Sequence, residues 1–520
     1  MATTERTTAI FVASISFAIL TMGSLALLML ASVLGNVEMT AVTDPARWLE
    51  QMQPEEAFEI LSNAAELLAG VLAIAITVVA IVVELAATRY SHRITKLFIS
   101  EPINIIVMSF FLLTTVQCVW LSATLSQPGS DALLPNAGFA IAMTMVTLSL
   151  LLLLPYFYFV FSFISPLSIV QKLRTAAHRI YRRAGTASAA RVHAQTLEAI
   201  DEIQDIARSA AEQADTRIAM SAIDALADLL LNYVDDKSTL PDRWFEMDEV
   251  ILHDPDFVSL GVSAKEEVRE TRLWFEVKIM RQYLALMSQT VPESRDVANM
   301  IAINTQRLGI ATAERDPALL ELIIRCFNSY MRATIRAGDP RTAYYVMNEY
   351  RFLAEALLRM NSFDAVTQIV EYFRYYATFS HNLGESFLLE VAAHDIVRLI
   401  EEAVKLDAPI VDDLLGRLLE LDQEIRSECS EASLLSVRRA QLQLATVFLE
   451  KGDEARARRI VDDMRNEDHE RLQRVKAMLM SEQRPQYWEF TDRGVNFSYL
   501  KPARRPYLDT LFEWLRKQNP

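Results

Sequence analysis

Four apolar runs without Asp, Glu, Lys or Arg dominate the first third of this sequence. They cover residues 7–37, 67–83, 102–130 and 132–171. Because a helix needs about 20 apolar residues to cross a bilayer, we predict four transmembrane helices. We place them near residues 9–34, 65–87, 103–125 and 138–164. The first run exceeds the apolar region of a secretory signal, about 7–15 residues, which favours an uncleaved span over a cleaved signal.

Charged residues divide the chain into two parts. Residues 1–165 hold 5 Lys or Arg and 11 Asp or Glu, whereas the rest of the chain holds 46 and 56. The second part therefore has the charge density of a water-soluble domain. The net charge of −16 gives no basic field, which argues against nucleic-acid binding. We predict a transmembrane domain at 1–165, a basic juxtamembrane segment at 166–197, a helical domain at 198–484 and an aromatic-rich C-terminal cap at 485–520.

The distribution of Lys and Arg among the short loops predicts the orientation of the spans. Residues 36–64 hold six acids and one base, and no base follows the third span. Basic residues instead follow the second and fourth spans: Arg89, Arg93, Lys96, Lys172, Arg174, Arg179, Arg182, Arg183 and Arg191. Basic loops stay in the cytoplasm. We therefore predict a multi-pass protein of the bacterial inner membrane, with the N-terminus and the C-terminal domain in the cytoplasm. Lys172, Arg174, Arg179, Arg182 and Arg183 are predicted to face the anionic lipid of the inner leaflet.

The segment that follows the second span carries a family resemblance. Residues 83–102 read VELAATRYSHRITKLFISEP. This segment resembles the hallmark of a bacterial family of predicted membrane proteins, domain of unknown function 2254, with Glu84 where that family has Gln. A second resemblance lies in AGDPRTA, residues 337–343. The resemblance implies a polytopic membrane protein with a cytosolic portion, and it implies no activity.

Beyond residue 168, apolar residues recur at the three- and four-residue spacing of helices, as in Ile200, Ile203 and Ile206. Gly338-Asp339 and Gly452-Asp453 each separate two amphipathic runs, as the turns of helical repeats do. The glycine permits a left-handed turn, and the aspartate can cap the next helix. We therefore predict an all-α chain, in which the four-helix transmembrane domain precedes a cytoplasmic helical solenoid or bundle. We expect the aromatic-rich end to fold back as a cap, with a peptide-docking surface as the alternative.

Few residues of this sequence are candidates for catalysis or ligand binding. The sequence holds no phosphate-binding Gly loop, nucleophile elbow, His-Glu-x-x-His motif or paired Cys ligands. We therefore predict no catalytic, cofactor-binding or metal-binding residue. Glu84 and Gln117 are the candidate polar residues of the spans, because ionisable and polar groups in membranes are often functional. For Glu84, an anchor paired with Arg89 and a conduction role both remain open.

Three functional hypotheses follow from these observations. The first is a membrane-anchored scaffold or signalling protein, which binds protein partners through the helical domain. The alternative is a channel or transport component formed by a homo-oligomer. An enzyme ranks third, because no catalytic motif is visible.

Overall fold

The computed structural model describes residues 52–89, 95, 98–99, 101–125, 136–291, 294–421, 431–487 and 493–518. These residues are helical wherever they form regular structure. They divide into two compact units, an N-terminal unit that ends at Gln171 and a C-terminal unit that begins at Lys172.

Three helices in the described residues are long and apolar enough to cross a membrane. They are α1, Pro54–Arg89; α2, Pro102–Leu125; and α3, Asn136–Ile164. They correspond to the second, third and fourth predicted spans. The first predicted span, near residues 9–34, lies outside the described residues.

Helix α1 begins earlier than the predicted span, at Pro54 instead of residue 65. Its first turns are amphipathic, with Glu55, Glu56 and Glu59 exposed and Leu61 fully buried. Pro54 and the two acids that follow it suit the first turn of a helix. A search for uncharged runs stops at a glutamate, whereas an amphipathic helix continues through it.

Two side-chain hydrogen bonds join α2 to α3. The Tyr156 hydroxyl donates to Asn104 Oδ1 at 2.6 Å, and the Ser149 hydroxyl donates to that of Thr114 at 3.3 Å. Ser149 and Thr114 are fully buried. Polar pairs of this kind hold membrane helices together, since a hydroxyl in an apolar setting needs a partner.

The C-terminal unit continues with a series of helices. They are α4, Pro166–Tyr181, which begins before the unit boundary; α5, Ala189–Glu212; α6, Thr216–Asp236; α7, Glu249–Leu252; α8, Pro255–Val258; α9, Val262–Thr271; α10, Trp274–Thr290; α11, Arg295–Thr312; α12, Pro317–Arg336; α13, Pro340–Arg359; α14, Phe363–Asn382; α15, Phe387–Lys405; α16, Val411–Leu419; α17, Glu431–Glu450; α18, Glu454–Asp463; α19, His469–Ser481; and α20, Arg505–Gln518.

These helices stack in two rows. From α10 to α16, most helices contact both the next helix and the next but one. One row runs through α6, α11, α13, α15 and α17, and the other through α5, α10, α12, α14 and α16. This pattern is typical of helical repeat proteins, in which each hairpin buries its apolar face against its neighbours.

Both predicted Gly-Asp turns are confirmed. Gly338 and Gly452 have φ of +66° and +79°, the left-handed conformation that glycine adopts without strain. Asp339 then accepts a hydrogen bond from the Thr342 N–H, and Asp453 accepts one from the Arg456 N–H. Each aspartate thus caps the helix that begins after it.

Candidate functional site: a cleft crossed by the C-terminal segment

The two polar residues predicted in the spans lie on different helices. Glu84 is exposed on α1 and lines a groove with α2, whereas Gln117 is half-buried on α2 and does not line that groove. No cation among the described residues lies within ion-pair distance of the Glu84 carboxylate. The structure describes the backbone of Arg89 and not its side chain, so the predicted Glu84–Arg89 pair stays a prediction.

The basic residues that follow the fourth predicted span differ in their exposure and in their acidic neighbours. Arg174 pairs with Asp228 at 3.3 Å, and Arg182 lies 3.7 Å from Asp236, both acids being on α6. Arg179 and Arg183 are exposed, and Lys172 is half-buried. The acidic side chains of α6 therefore neutralise part of the positive charge that we predicted to face the lipid. Contact of these residues with lipid stays a prediction.

A buried lysine in the C-terminal unit joins three aspartates that the sequence analysis did not single out. Lys278 is 1% exposed, and its Nζ lies 2.7 Å from Asp201, 2.9 Å from Asp254 and 2.7 Å from Asp256. Burial raises the pKa of Asp201 to about 6, although the Lys278 cation opposes that rise. This cluster ties α5 and the first residues of α8 to α10, which is a structural role.

A cleft with a volume of about 750 Å³ lies between α13, α15 and the C-terminal segment. We call residues 493–501 the strap; this non-helical segment lines the cleft and turns between Asn496 and Tyr499, where the Tyr499 N–H donates to the Asn496 carbonyl at 3.1 Å. Charged side chains of both signs line the cleft: Glu349, Arg351, Glu355, Asp395, Arg398, Glu401, Glu402, Lys405, Arg493, Lys501 and Arg504. Within the described residues, no group of three or more His, Cys, Asp or Glu is arranged to hold a metal ion.

Asp395 anchors the first residue of the strap. It is 2% exposed on α15, and its Oδ1 accepts a hydrogen bond from Arg493 Nη1 at 2.7 Å. The Arg351 Nε lies 3.2 Å from the same oxygen. Burial raises the pKa of Asp395, and the two guanidinium groups oppose that rise. Arg493 also donates to the Tyr344 carbonyl at 2.6 Å and lies 4.0 Å above the Tyr344 ring.

The remainder of the strap is held through a ring and through its backbone. The Phe497 ring stacks on the buried His394 ring, with 4.3 Å between centroids and 6° between planes. Gln443 Nε2 donates to the carbonyl oxygens of Phe497 and Tyr499, each at 3.0 Å. Arg439 Nη1 donates to the Ser498 hydroxyl at 2.9 Å. The cleft therefore binds a non-helical segment through two anchors and its main chain.

Buried atoms of the cleft include an acceptor and a ring nitrogen with unused hydrogen-bonding capacity. Asp395 Oδ2 and His394 Nε2 have no hydrogen-bond partner among the described residues. Burial, assisted by Arg439, Arg398 and Arg493, lowers the pKa of His394 well below its usual range. His394 is therefore neutral at pH 7.

The comparisons with known proteins concern mainly the N-terminal unit. Residues 6–220 match the model of the family described as "Predicted membrane protein (DUF2254)". This match agrees with the family resemblance found in residues 83–102. The matched segment contains α1 to α3 and ends within α6, so the DUF2254 match does not reach the cleft.

Beyond this family, the comparisons add little. No curated protein matches the chain. A solved structure titled "Circular tandem repeat protein with novel repeat topology and enhanced subunit contact surfaces" is similar at 14% identity over 98% of both chains. The TM-score of 0.32 does not establish a shared fold.

The first prediction from this site is that acidification loosens the strap. Since the pKa of His394 is lowered in the folded state, the stability that His394 contributes is complete above its usual pKa of about 6.5 and falls as the pH drops below it. At pH 5.5 we expect strap opening to increase by about tenfold. Hydrogen exchange of residues 493–501 at pH 7.5 and 5.5, corrected for intrinsic rates, measures this opening.

The variant His394→Gln is the control for this prediction. It removes the titrating ring and leaves Asp395, whose raised pKa acts in the opposite direction, in place. The difference between native and variant chains therefore isolates the histidine. Equal pH dependence in both chains would show that His394 does not control the strap.

Proposed function

We propose that this chain is a membrane-anchored interaction protein whose C-terminal helical unit binds a non-helical segment of a protein partner in the cleft. The observation that carries this proposal is the strap itself. Asp395 binds its guanidinium, His394 stacks on its aromatic ring, and Gln443 binds two of its carbonyl groups. A partner segment with an arginine and an aromatic residue four positions later has the same chemistry.

The unpartnered buried atoms of the cleft and the volume of the cleft support the same function. Asp395 and the strap line the same cleft. Once the strap has moved, a hydrogen-bond donor of the partner protein can therefore reach Asp395 Oδ2. Helical repeat proteins offer extended surfaces of this kind to protein ligands. Since Arg493 and Phe497 belong to the same chain, their high effective concentration makes the strap a competitor of any partner.

The membrane arrangement that we propose has four spans. The three apolar helices α1 to α3 follow the predicted first span, and the Lys and Arg distribution favours a cytoplasmic location for both termini. The C-terminal unit would then be held at the inner face of a bacterial inner membrane. The exposed Arg179 and Arg183 are the residues of the basic segment best placed to meet anionic lipid.

The second prediction tests the interaction function with the strap as a probe. A labelled peptide of residues 493–501 is added to the full chain in detergent micelles, either native or carrying Arg493→Ala and Phe497→Ala. We expect the double variant to bind the peptide at least about tenfold more tightly, because its own strap no longer competes. Fluorescence anisotropy measures both affinities.

A matched peptide provides the control. A peptide with alanine at the positions of Arg493 and Phe497 keeps the backbone groups and loses both anchors, so that it should bind the double variant weakly. Circular dichroism of the double variant checks that the helices persist. If the native peptide binds both chains equally, or if the alanine peptide binds as well as the native one, the cleft is not a peptide-binding site.

A further inference from the structure

A groove on the N-terminal unit is separate from the cleft. It has a volume of about 540 Å³ and lies between α1 and α2, closed at one end by residues of their connection. Apolar side chains make up most of its wall: Leu72, Ile76, Val79, Ala80, Val83, Phe98, Ile99, Met108 and Leu112. The polar residues that line it are Glu84, Thr95, Asn104 and Ser109.

The groove is polar at one end and apolar at the other. Glu84, Thr95 and Asn104 lie near the connection between the helices, whereas Leu72, Ile76 and Leu112 lie farther along them. From Glu84 to Leu72 a helix rises about 18 Å, at 1.5 Å per residue. The hydrocarbon core of a bilayer is about 30 Å thick, so the groove has the length of one leaflet. These dimensions and this polarity suit a single lipid.

The charge at the polar end selects the headgroup. Glu84 is exposed in the groove, and no cation among the described residues pairs with its carboxylate. A carboxylate near the apolar part of a membrane is costly without a partner. A primary ammonium group supplies both the opposite charge and N–H donors, as charge-assisted hydrogen bonds require.

We propose that this groove binds one phospholipid with a primary-ammonium headgroup. An acyl chain lies along the apolar wall of α1 and α2, and the ammonium group donates hydrogen bonds to the Glu84 carboxylate. This site is independent of the peptide-binding function, because it lies in the other unit. It also gives Glu84 a role that is neither conduction nor an ion pair within the chain.

The third prediction is a lipid preference that depends on Glu84. Native mass spectrometry of the full chain, released from detergent micelles, measures the retention of phosphatidylethanolamine, phosphatidylcholine and phosphatidylglycerol with identical acyl chains. We expect the ethanolamine lipid to bind about tenfold more tightly than the choline lipid, whose quaternary ammonium has no N–H donor. Glu84→Gln, which keeps the size of the side chain, should remove this difference.

A second pair of variants tests the groove separately from the headgroup. Ala80→Phe fills the apolar wall and should reduce retention of the ethanolamine lipid by about tenfold or more. Ala73→Phe is the matched control, since Ala73 is exposed on α1 and does not line the groove. Ala80→Leu gives a milder filling if the phenylalanine variant does not yield a monodisperse protein.

Three results would overturn the proposal. Equal retention of the three lipids by the native chain would show that no headgroup is selected. An unchanged preference in Glu84→Gln would remove the carboxylate from the site. Equal retention by the Ala80 and Ala73 variants would show that the lipid binds elsewhere.

Discussion

Replacing Asp395 with alanine is expected to destabilise the C-terminal unit by about 3–5 kcal/mol, the usual cost of removing one partner from a buried ion pair. The variant leaves Arg493 and Arg351, whose side chains are 6% and 13% exposed, without the carboxylate that lies between them. Arg493→Ala should have a smaller effect, because Arg351 still balances Asp395. Urea unfolding of the full chain in detergent micelles, followed by circular dichroism, measures both changes.

An exposed ion pair in the same unit serves as the control. Lys476 and Asp509 lie 2.7 Å apart, and the Asp509 side chain is 63% exposed. Asp509→Ala should therefore change the free energy of unfolding by less than about 1 kcal/mol. If Asp395→Ala changes it as little, Asp395 is not the anchor of the strap.

Replacing Lys278 with methionine should also destabilise the C-terminal unit by about 3–5 kcal/mol at pH 8. Methionine nearly preserves the volume, but it leaves Asp254, which is 7% exposed, and the neighbouring Asp201 and Asp256 without their shared cation. The same unfolding measurement applies. Arg269→Met, which breaks the exposed pair with Glu266, should change the stability by less than about 1 kcal/mol.

The effect of Lys278→Met should shrink on acidification. Burial already raises the pKa of Asp201 to about 6 in the native chain, and loss of the cation raises it further. A carboxyl group with a raised pKa stabilises the folded state below its unfolded pKa, and this contribution disappears as the pH rises through the folded pKa. The deficit should therefore be smaller at pH 5 than at pH 8. A deficit that does not change with pH would exclude repulsion among the aspartates as its cause.

The sequence determines much of the fold because the signals that specify the helices are local. The predicted spans near 103–125 and 138–164 agree closely with α2 and α3, since apolar runs and helices end at similar places there. The turns at Gly338 and Gly452 were predictable because a left-handed glycine and a capping aspartate act within a few residues. Helix α1 extends beyond the predicted span at its N-terminal end, because its amphipathic first turns contain charges that end an uncharged run.

The cleft could not be predicted in the same way. Asp395 lies between the apolar residues Ala393 and Ile396 of a helical segment. A charged side chain on the buried face of a helix indicates that an oppositely charged side chain lies nearby. That signal does not say which arginine is the partner. Arg493 is 98 residues away, and only the stacking of α13, α15 and α17 brings the two together. The three aspartates around Lys278 were missed for the same reason.

The strap has a consequence for the order of events during synthesis of the chain. Its anchoring arginine binds groups that lie 98 and 149 residues earlier, at Asp395 and at Tyr344. A ribosome adds about 5–20 residues per second, so Asp395 is translated at least about 5 seconds before Arg493. During that interval the growing chain has no strap with which to cover the cleft. A newly made molecule therefore presents this surface to other proteins before it can bind its own segment.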